Sequence, residues 1–266
     1  MIMAILENIG RTILDIGRHV KNVLALFFET VYWILFGPFR GKFVKPEGVF
    51  AQMVFVGAGS LAIAAFVSFF TGIVIAMQSA YQLSRFGANI YVAPMVSVGL
   101  ARELGPVLTA LVVAGRVGAA ITAELGSMKV TEQIEALDTM ALNPVRFLVV
   151  PRFLALLVML PCLTVMADML GILGGFLVGV FNLRLDPYRY LTFSFQYMQW
   201  KDVWTGLIKS AVFGITISMI GCYMGLNTKG GAEGVGKATT LSVVTSFILI
   251  VLFDCILTGL FYFTQK

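Results

Sequence analysis

The stretch Ala101–Pro144 reads A-R-E-L-G-P-V-L-T-A-L-V-V-A-G-R-V-G-A-A-I-T-A-E-L-G-S-M-K-V-T-E-Q-I-E-A-L-D-T-M-A-L-N-P. Two opposite charges, Arg102 and Glu103, sit in otherwise apolar sequence beside a Gly105-Pro106 break, and Arg116 follows inside the same run. Charges at membrane depth are costly unless they are paired or face a cavity, so these are either functional groups or a structural ion pair between helices. Pro106 removes a backbone hydrogen bond and predicts a kink. Gly115, Gly118 and Ala119 then permit close helix approach. From about residue 131 to 142 the pattern turns short, acidic and amphipathic. Thr131 reads as its N-cap, with Glu132 in the first turn, where the helix dipole favours an anion. Ile134, Leu137 and Ala141 share one face, Glu132, Glu135 and Asp138 another, and Asn143-Pro144 reads as the stop. A helix of two or three turns is marginal alone in water and has to dock on something. It is either a solvated loop helix or the element that receives a cytoplasmic subunit.

The composition around this stretch is that of a membrane protein. Hydrophobic residues make up 59% and charged residues 12% of the 266, against roughly 25% charged in soluble domains, and the mean hydropathy is +0.91. The predicted fold is all-α and integral to the membrane. It has an N-terminal interfacial region (1–46) and a polytopic domain (47–266), with five transmembrane helices near 50–84, 91–125, 147–183, 203–226 and 240–263. The first residues include Glu7, Arg11 and Asp15 and no A-x-A-like cleavage site, which argues against a cleaved signal peptide. The net charge of +5 suits loops near anionic lipid and requires no nucleic-acid partner. Cys162, Cys222 and Cys255 lie far apart in apolar runs and read as small hydrophobes.

Upstream, Ile2, Ile5, Ile9, Ile13, Ile16 and Val20 recur at helical spacing opposite Glu7, Arg11, Asp15, Arg18 and Asn22, a pattern suited to a helix lying on the membrane. Val23–Phe36 is too short to span, contains Glu29 and ends at Gly37-Pro38, so it reads as interfacial or re-entrant. Arg40, Lys42 and Lys45 mark a cytoplasmic surface. No charged residue occurs between Glu47 and Arg85. As a helix that stretch is about 55 Å long, more than the ~30 Å hydrocarbon core. The first span therefore tilts or projects beyond the bilayer, with Gln78, Tyr81, Gln82 and Arg85 at its far end.

Downstream, Gly171, Gly175 and Gly179 form a small-residue stripe for tight packing. Asp186-Pro187 reads as a helix start, followed by aromatics suited to an outer interface. Lys209 is the one cation in the fourth span, and its nearest plausible partner type is Glu103. Gly231–Lys237 fits G-x-x-x-x-G-K, but Ala238 replaces the magnesium-binding hydroxyl and apolar helices flank it, so it reads as a flexible glycine-rich turn. With the N-terminus cytoplasmic, eleven lysines and arginines fall inside against five outside, consistent with the positive-inside rule.

An intramembrane enzyme finds little support. His19 is the single histidine, and neither H-E-x-x-H nor G-x-S-x-G occurs, so no catalytic residue is assigned. No metal-ligand spacing appears either. An ion-coupled carrier would ordinarily show internal repeats, and R-E-L-G-P against A-E-L-G-S is too short an echo. A transporter subunit that borrows its energy fits better.

The segments R-E-L-G-P-V (102–107), A-G-R-V-G-A-A-I-T-A-E-L-G (114–126) and T-E-Q-I-E-A-L (131–137) resemble the MlaE family of ABC transporter permeases. L-I-K-S-A-V-F-G-I-T (207–216) and G-K-A-T-T (236–240) extend the resemblance over nearly the whole chain. It implies phospholipid transport between the bacterial inner and outer membranes, with related systems carrying sterols and other lipids. It further implies a homodimer in the inner membrane on two cytoplasmic ATPases, which would hold ATP and magnesium while this chain binds no cofactor. The family often adds a STAS-domain subunit and has a periplasmic ring of MCE-domain proteins. Residues 131–142 would be the coupling helix, through Thr131, Glu132, Ile134, Glu135, Leu137 and Asp138. The lipid would lie in a cavity walled by Ile75, Gln82, Leu83 and Phe86, Gln82 being polar where relatives tend to be apolar. Arg102, Glu103 and Lys209 would belong to the charged end of that cavity, and Lys237 to a basic site near the cytoplasmic end.

Overall fold

The computed structural model describes residues 2–37 and 45–264, with the backbone alone for residues 2–13, 15, 16 and 264. Ten α-helices and no strand occur among the described residues. Helix α1 (Ile2–Phe36) precedes α2 (Pro46–Leu83). The next membrane helix is a composite of α3 (Val92–Gly99), α4 (Gly105–Val113) and α5 (Ala119–Val130). They are joined by two π-helical turns, Leu100–Leu104 and Ala114–Gly118. The short α6 (Gln133–Thr139) leads into α7 (Val150–Leu177), itself flanked by π turns. Then come α8 (Pro187–Tyr197), α9 (Trp200–Leu226) and α10 (Gly231–Thr264).

The two π turns hold the intramembrane charges of this composite helix. Arg102 and Glu103 lie in the first and Arg116 in the second. Ahead of Pro106, which has no N–H to donate, the Gly105 amide bonds the Leu100 carbonyl five residues back. The expected proline kink thus takes the form of a widened turn, a distortion common at functional sites.

Helices α5, α7 and α9 supply most of the main core, around Val117, Ile121, Leu156, Leu160, Phe213 and Ile217. The backbones meet through small residues. A side chain at Gly72 or Gly206 would strike the carbonyl of Gly171 or Ala101, respectively. The predicted Gly171–Gly175–Gly179 stripe serves two partners: Gly171 faces α2, while Gly175 and Gly179 fit against Tyr190 of α8. Helices α2 and α10 each leave a large apolar face exposed, including Phe66, Phe70 and Val74 on α2 and Phe247, Ile248 and Val251 on α10. In water such faces would drive aggregation; here they are surface for lipid or another subunit.

Residues 2–36 form one continuous helix, not an amphipathic segment followed by a separate short one. The amphipathic faces read over residues 2–16 and the basic residues Arg40 and Lys42 lie largely or wholly outside the described side chains. Among the described residues six helical stretches are long and apolar enough to cross a membrane, one more than expected, because Gly17–Phe36 qualifies by length and composition. Its contacts give it another direction. His19 Nδ1 is 2.7 Å from the hydroxyl of Tyr223 near the end of α9. Glu29 accepts from Asn143 at 3.2 Å, and Trp33 lies under Arg146, both in the segment leading into α7. His19 and Trp33 are about 21 Å apart along the helix, yet both touch the same end of the bundle. Helix α1 therefore lies across that end, which also carries α6.

The last helix starts at Gly231, earlier than expected, because the glycine-rich segment is not a flexible turn. Only the approach to it turns, with φ of 90° at Gly230 and 69° at Gly231. Beyond, Glu233 and Lys237 pair at 2.6 Å across one helical turn, the arrangement that supports an exposed helix.

Candidate functional site

The expected pairing of Glu103 with Lys209 is present, and it is part of a larger cluster. Lys209 is 0% exposed. Its ammonium bonds Glu103 Oε2, lies 2.8 Å from Asp254 Oδ1 and donates to Thr258 Oγ1 at 2.7 Å. The Thr258 hydroxyl in turn donates to Glu103 Oε2 at 3.3 Å. The ammonium thus hydrogen-bonds Glu103 and Thr258, and Asp254 faces it as an ion-pair partner whose Oδ1 has no hydrogen bond among the described residues. Glu103 lies eleven residues from the start of α3, Lys209 nine from the start of α9 and Asp254 ten from the end of α10. These helix ends lie on one side of the bundle, so the cluster sits at a common depth about 14–17 Å inward.

Glu103 and Asp254 keep 34% and 24% of their side-chain surface open. With one cation and two carboxylates, the cluster therefore presents excess negative charge at its accessible rim. Arg102 adds a positive neighbour, 3.7 Å from Asp202 Oδ1. Asp202 is itself held by the capping box that starts α9, where its Oδ2 accepts from the Gln199 amide at 3.0 Å. Asp254 and Thr258 were not assigned from sequence. Asp254 was visible as a lone acid in an apolar span, but helix rotation and depth had to be known before it could be joined to Lys209.

The four residues expected to wall a cavity divide into two pairs. Ile75 and Leu83 are half-buried against the Ala76–Val92–Leu100 cluster, next to the π turn that bears Arg102 and Glu103. Gln82 and Phe86 are exposed, Phe86 at 83%. The exposed pair lies where α2 ends and a 3₁₀ turn (Ser84–Phe86) begins.

The α6 region holds its expected residues with a different local structure. Thr131 does not cap α6. Its hydroxyl donates to the Ser127 carbonyl at 2.9 Å, satisfying the end of α5, and the N-cap position falls to Glu132 in a left-handed conformation (φ 59°). A threonine between two helices can serve either one, and here the carbonyls of the longer helix take it. The helix ends at Thr139 and not near 142, and Ala141, expected on its apolar face, has a φ of 58° and is exposed. Asn143-Pro144 opens the next helix rather than closing α6: Asn143 Oδ1 accepts from the Arg146 amide at 3.0 Å. Ile134 is buried in the main core and Leu137 packs beside it, which docks α6. Glu135 and Asp138 point outward. Glu135 pairs with Lys129, and that hydrogen bond holds its carboxyl below the ordinary carboxylate value. Lys237 is exposed on the first turns of α10, paired with Glu233.

The chemistry on offer is binding, with a charged cluster inside apolar walls and an acidic docked helix at one end. The model of the family described as Permease MlaE matches residues 49–260. A probable ABC transporter permease protein of Rickettsia felis is 41% identical, the match covering 98% of this chain and 99% of that protein. The intermembrane phospholipid transport system permease protein MlaE of Haemophilus influenzae is 33% identical over 98% of this chain and 99% of its own. The chloroplastic protein TRIGALACTOSYLDIACYLGLYCEROL 1 of Arabidopsis thaliana is 35% identical over 84% of this chain and 63% of that protein. The chain is a multi-pass membrane protein and belongs to the MlaE family of ABC transporter permeases.

Proposed function

We propose that this permease moves phospholipid between the bacterial inner membrane and the periplasm or outer membrane, as half of a homodimer, and so maintains outer-membrane lipid asymmetry. ATP and magnesium bind a separate cytoplasmic ATPase pair that pushes on α6, a STAS-domain subunit accompanies some members, and a periplasmic MCE-domain hexamer receives the lipid. The N-terminus and α6 face the cytoplasm, and the α8 side faces outward.

One observation carries the substrate reading: the Lys209–Glu103–Asp254 cluster, flanked by Arg102 and partly open at a common depth. Buried charge is expensive, and a closed structural pair would have no reason to leave its carboxylates accessible. A zwitterionic headgroup fits it, with phosphate toward Arg102 and amine toward Glu103. The apolar wall at Ile75 and Leu83 suits acyl chains, a division between polar and apolar lining that is general for ligand sites. Gln82 and Phe86 form the exposed lip on the outward side.

Mass spectrometry of lipids that co-purify with the complex tests this reading. Phospholipid retained by the wild-type chain and lost on Phe86→Glu is the expected result. Retention of another lipid class at that lip would move the substrate and favour a second reading, which the galactolipid word in the plant relative's name supports.

A further inference from the structure

A cleft of about 520 Å³ lies at the α6 end of the bundle, between the first turn of α2 and the entry to α7. It is distant in sequence from every residue assigned to the headgroup cluster. Lys45, Arg146 and Arg152 line it with Phe147 and Gly48, and Glu47 is its one acidic lining residue. Three features make it a place for an anion. Arg152 is 4% exposed; its guanidinium reaches Glu124 at 2.8 Å and the Leu148 carbonyl at 2.7 Å, but its Nε has no acceptor among the described residues. A buried donor without a partner is a standing cost that a ligand can relieve. Among the described residues no side chain caps the amino end of α2, so the first turn of a 38-residue helix meets the cleft with its positive dipole end. At Gly48 a side chain would meet none of the described residues within 4 Å, so there is room beside that turn.

We infer that this cleft binds a phosphate-bearing anion, and that its natural occupant is the headgroup of an anionic phospholipid of the adjacent leaflet. The apolar Phe147 and Leu148 beside the cations suit a ligand that is charged at one end and apolar below it, and basic pockets between membrane helices on the cytoplasmic side favour such headgroups. The site rests on the reading above for its cytoplasmic placement. It adjoins the α6–α7 connection through Leu142 and Asn143, so its occupancy bears on the element proposed to meet the ATPase. This lipid is a bound regulator and is not the cargo at Glu103 and Lys209.

The full chain carrying Gly48→Cys tests it in vesicles, with a water-soluble maleimide and peptide mapping of the modified thiol. Protection should appear in vesicles of phosphatidylcholine doped with phosphatidylglycerol and be absent in phosphatidylcholine alone. Adding Lys45→Gln and Arg146→Gln, which leave the Arg152–Glu124 pair intact, should raise the half-protecting phosphatidylglycerol fraction about tenfold. Protection by inorganic phosphate in the undoped vesicles would keep the anion site and assign it to a soluble ligand. Protection by neither would overturn the inference. Phe86→Glu separates the two readings. Loss of lipid transfer with protection unchanged is expected, and loss of protection on Phe86→Glu but not on the paired glutamine variant would place the lipid elsewhere and overturn the cleft.

Discussion

Two lysine–glutamate pairs in this molecule use the same chemistry for opposite ends. Lys209–Glu103 lies at membrane depth with its lysine buried and its glutamate partly open, and is shared among α4's preceding π turn, α9 and α10. Lys129–Glu135 is exposed and joins the end of α5 to α6. In water an exposed pair gains little, because solvent screens it and two long side chains lose freedom. In an apolar interior either partner left alone is a severe defect. The buried pair is therefore a constraint on how three helices meet, and the exposed pair only steers a small helix whose docking comes from Ile134 and Leu137.

The largest expected effect tests the first half of that contrast. Lys209→Met leaves Glu103 and Asp254 facing each other without a cation and should cost about 3–5 kcal/mol, seen as loss of folded protein from the membrane fraction. Adding Glu103→Gln and Asp254→Asn should recover folding without transport. A triple variant as unstable as the single one would show that the cluster is not the cause. A simple exchange of Glu103 and Lys209 should rescue only in part, since the new glutamate would lie beside Asp254.

Next in size is the lip of the proposed cavity. Leu83→Arg or Phe86→Glu should abolish lipid transfer while the complex still assembles, with Phe86→Glu the cleaner variant because that side chain is already exposed. Normal transfer by both would remove the end of α2 from the substrate path.

Charge reversal at Glu135 or Asp138 should leave thermal stability unchanged and reduce lipid moved per ATP hydrolysed about tenfold. Unchanged coupling would make α6 a passive loop helix.

The smallest effect is the pH response of the exposed pair. The Lys129 hydrogen bond depresses the Glu135 carboxyl in the folded chain, so its contribution is present above the ordinary value of 4.5 and is lost as pH falls below it. Hydrogen exchange of α6 should rise through that acid range in the wild-type chain, and this rise should be absent in Glu135→Gln.

Much of this architecture was legible before any coordinates. The uncharged run from Glu47 to Arg85, the Asp186-Pro187 start of α8 and the Glu103–Lys209 partnership are all found where residue type and spacing put them. The errors cluster at helix ends. Thr131 serves α5 and not α6, Asn143 opens a helix rather than closing one, and Gly231–Lys237 is helical despite three glycines. Each is a contest between two neighbouring elements for the same residue, and local propensity does not register the winner.

Membrane residence and the presence of unusual intramembrane charge were determined by the sequence alone, because hydropathy is a property of consecutive residues. The membership of Asp254 and Thr258 in the Lys209 cluster, the course of α1 across one end of the bundle and the cleft beside Arg152 were decided only by tertiary structure. They depend on the rotation and relative depth of helices far apart in the chain, which packing sets and no local pattern encodes.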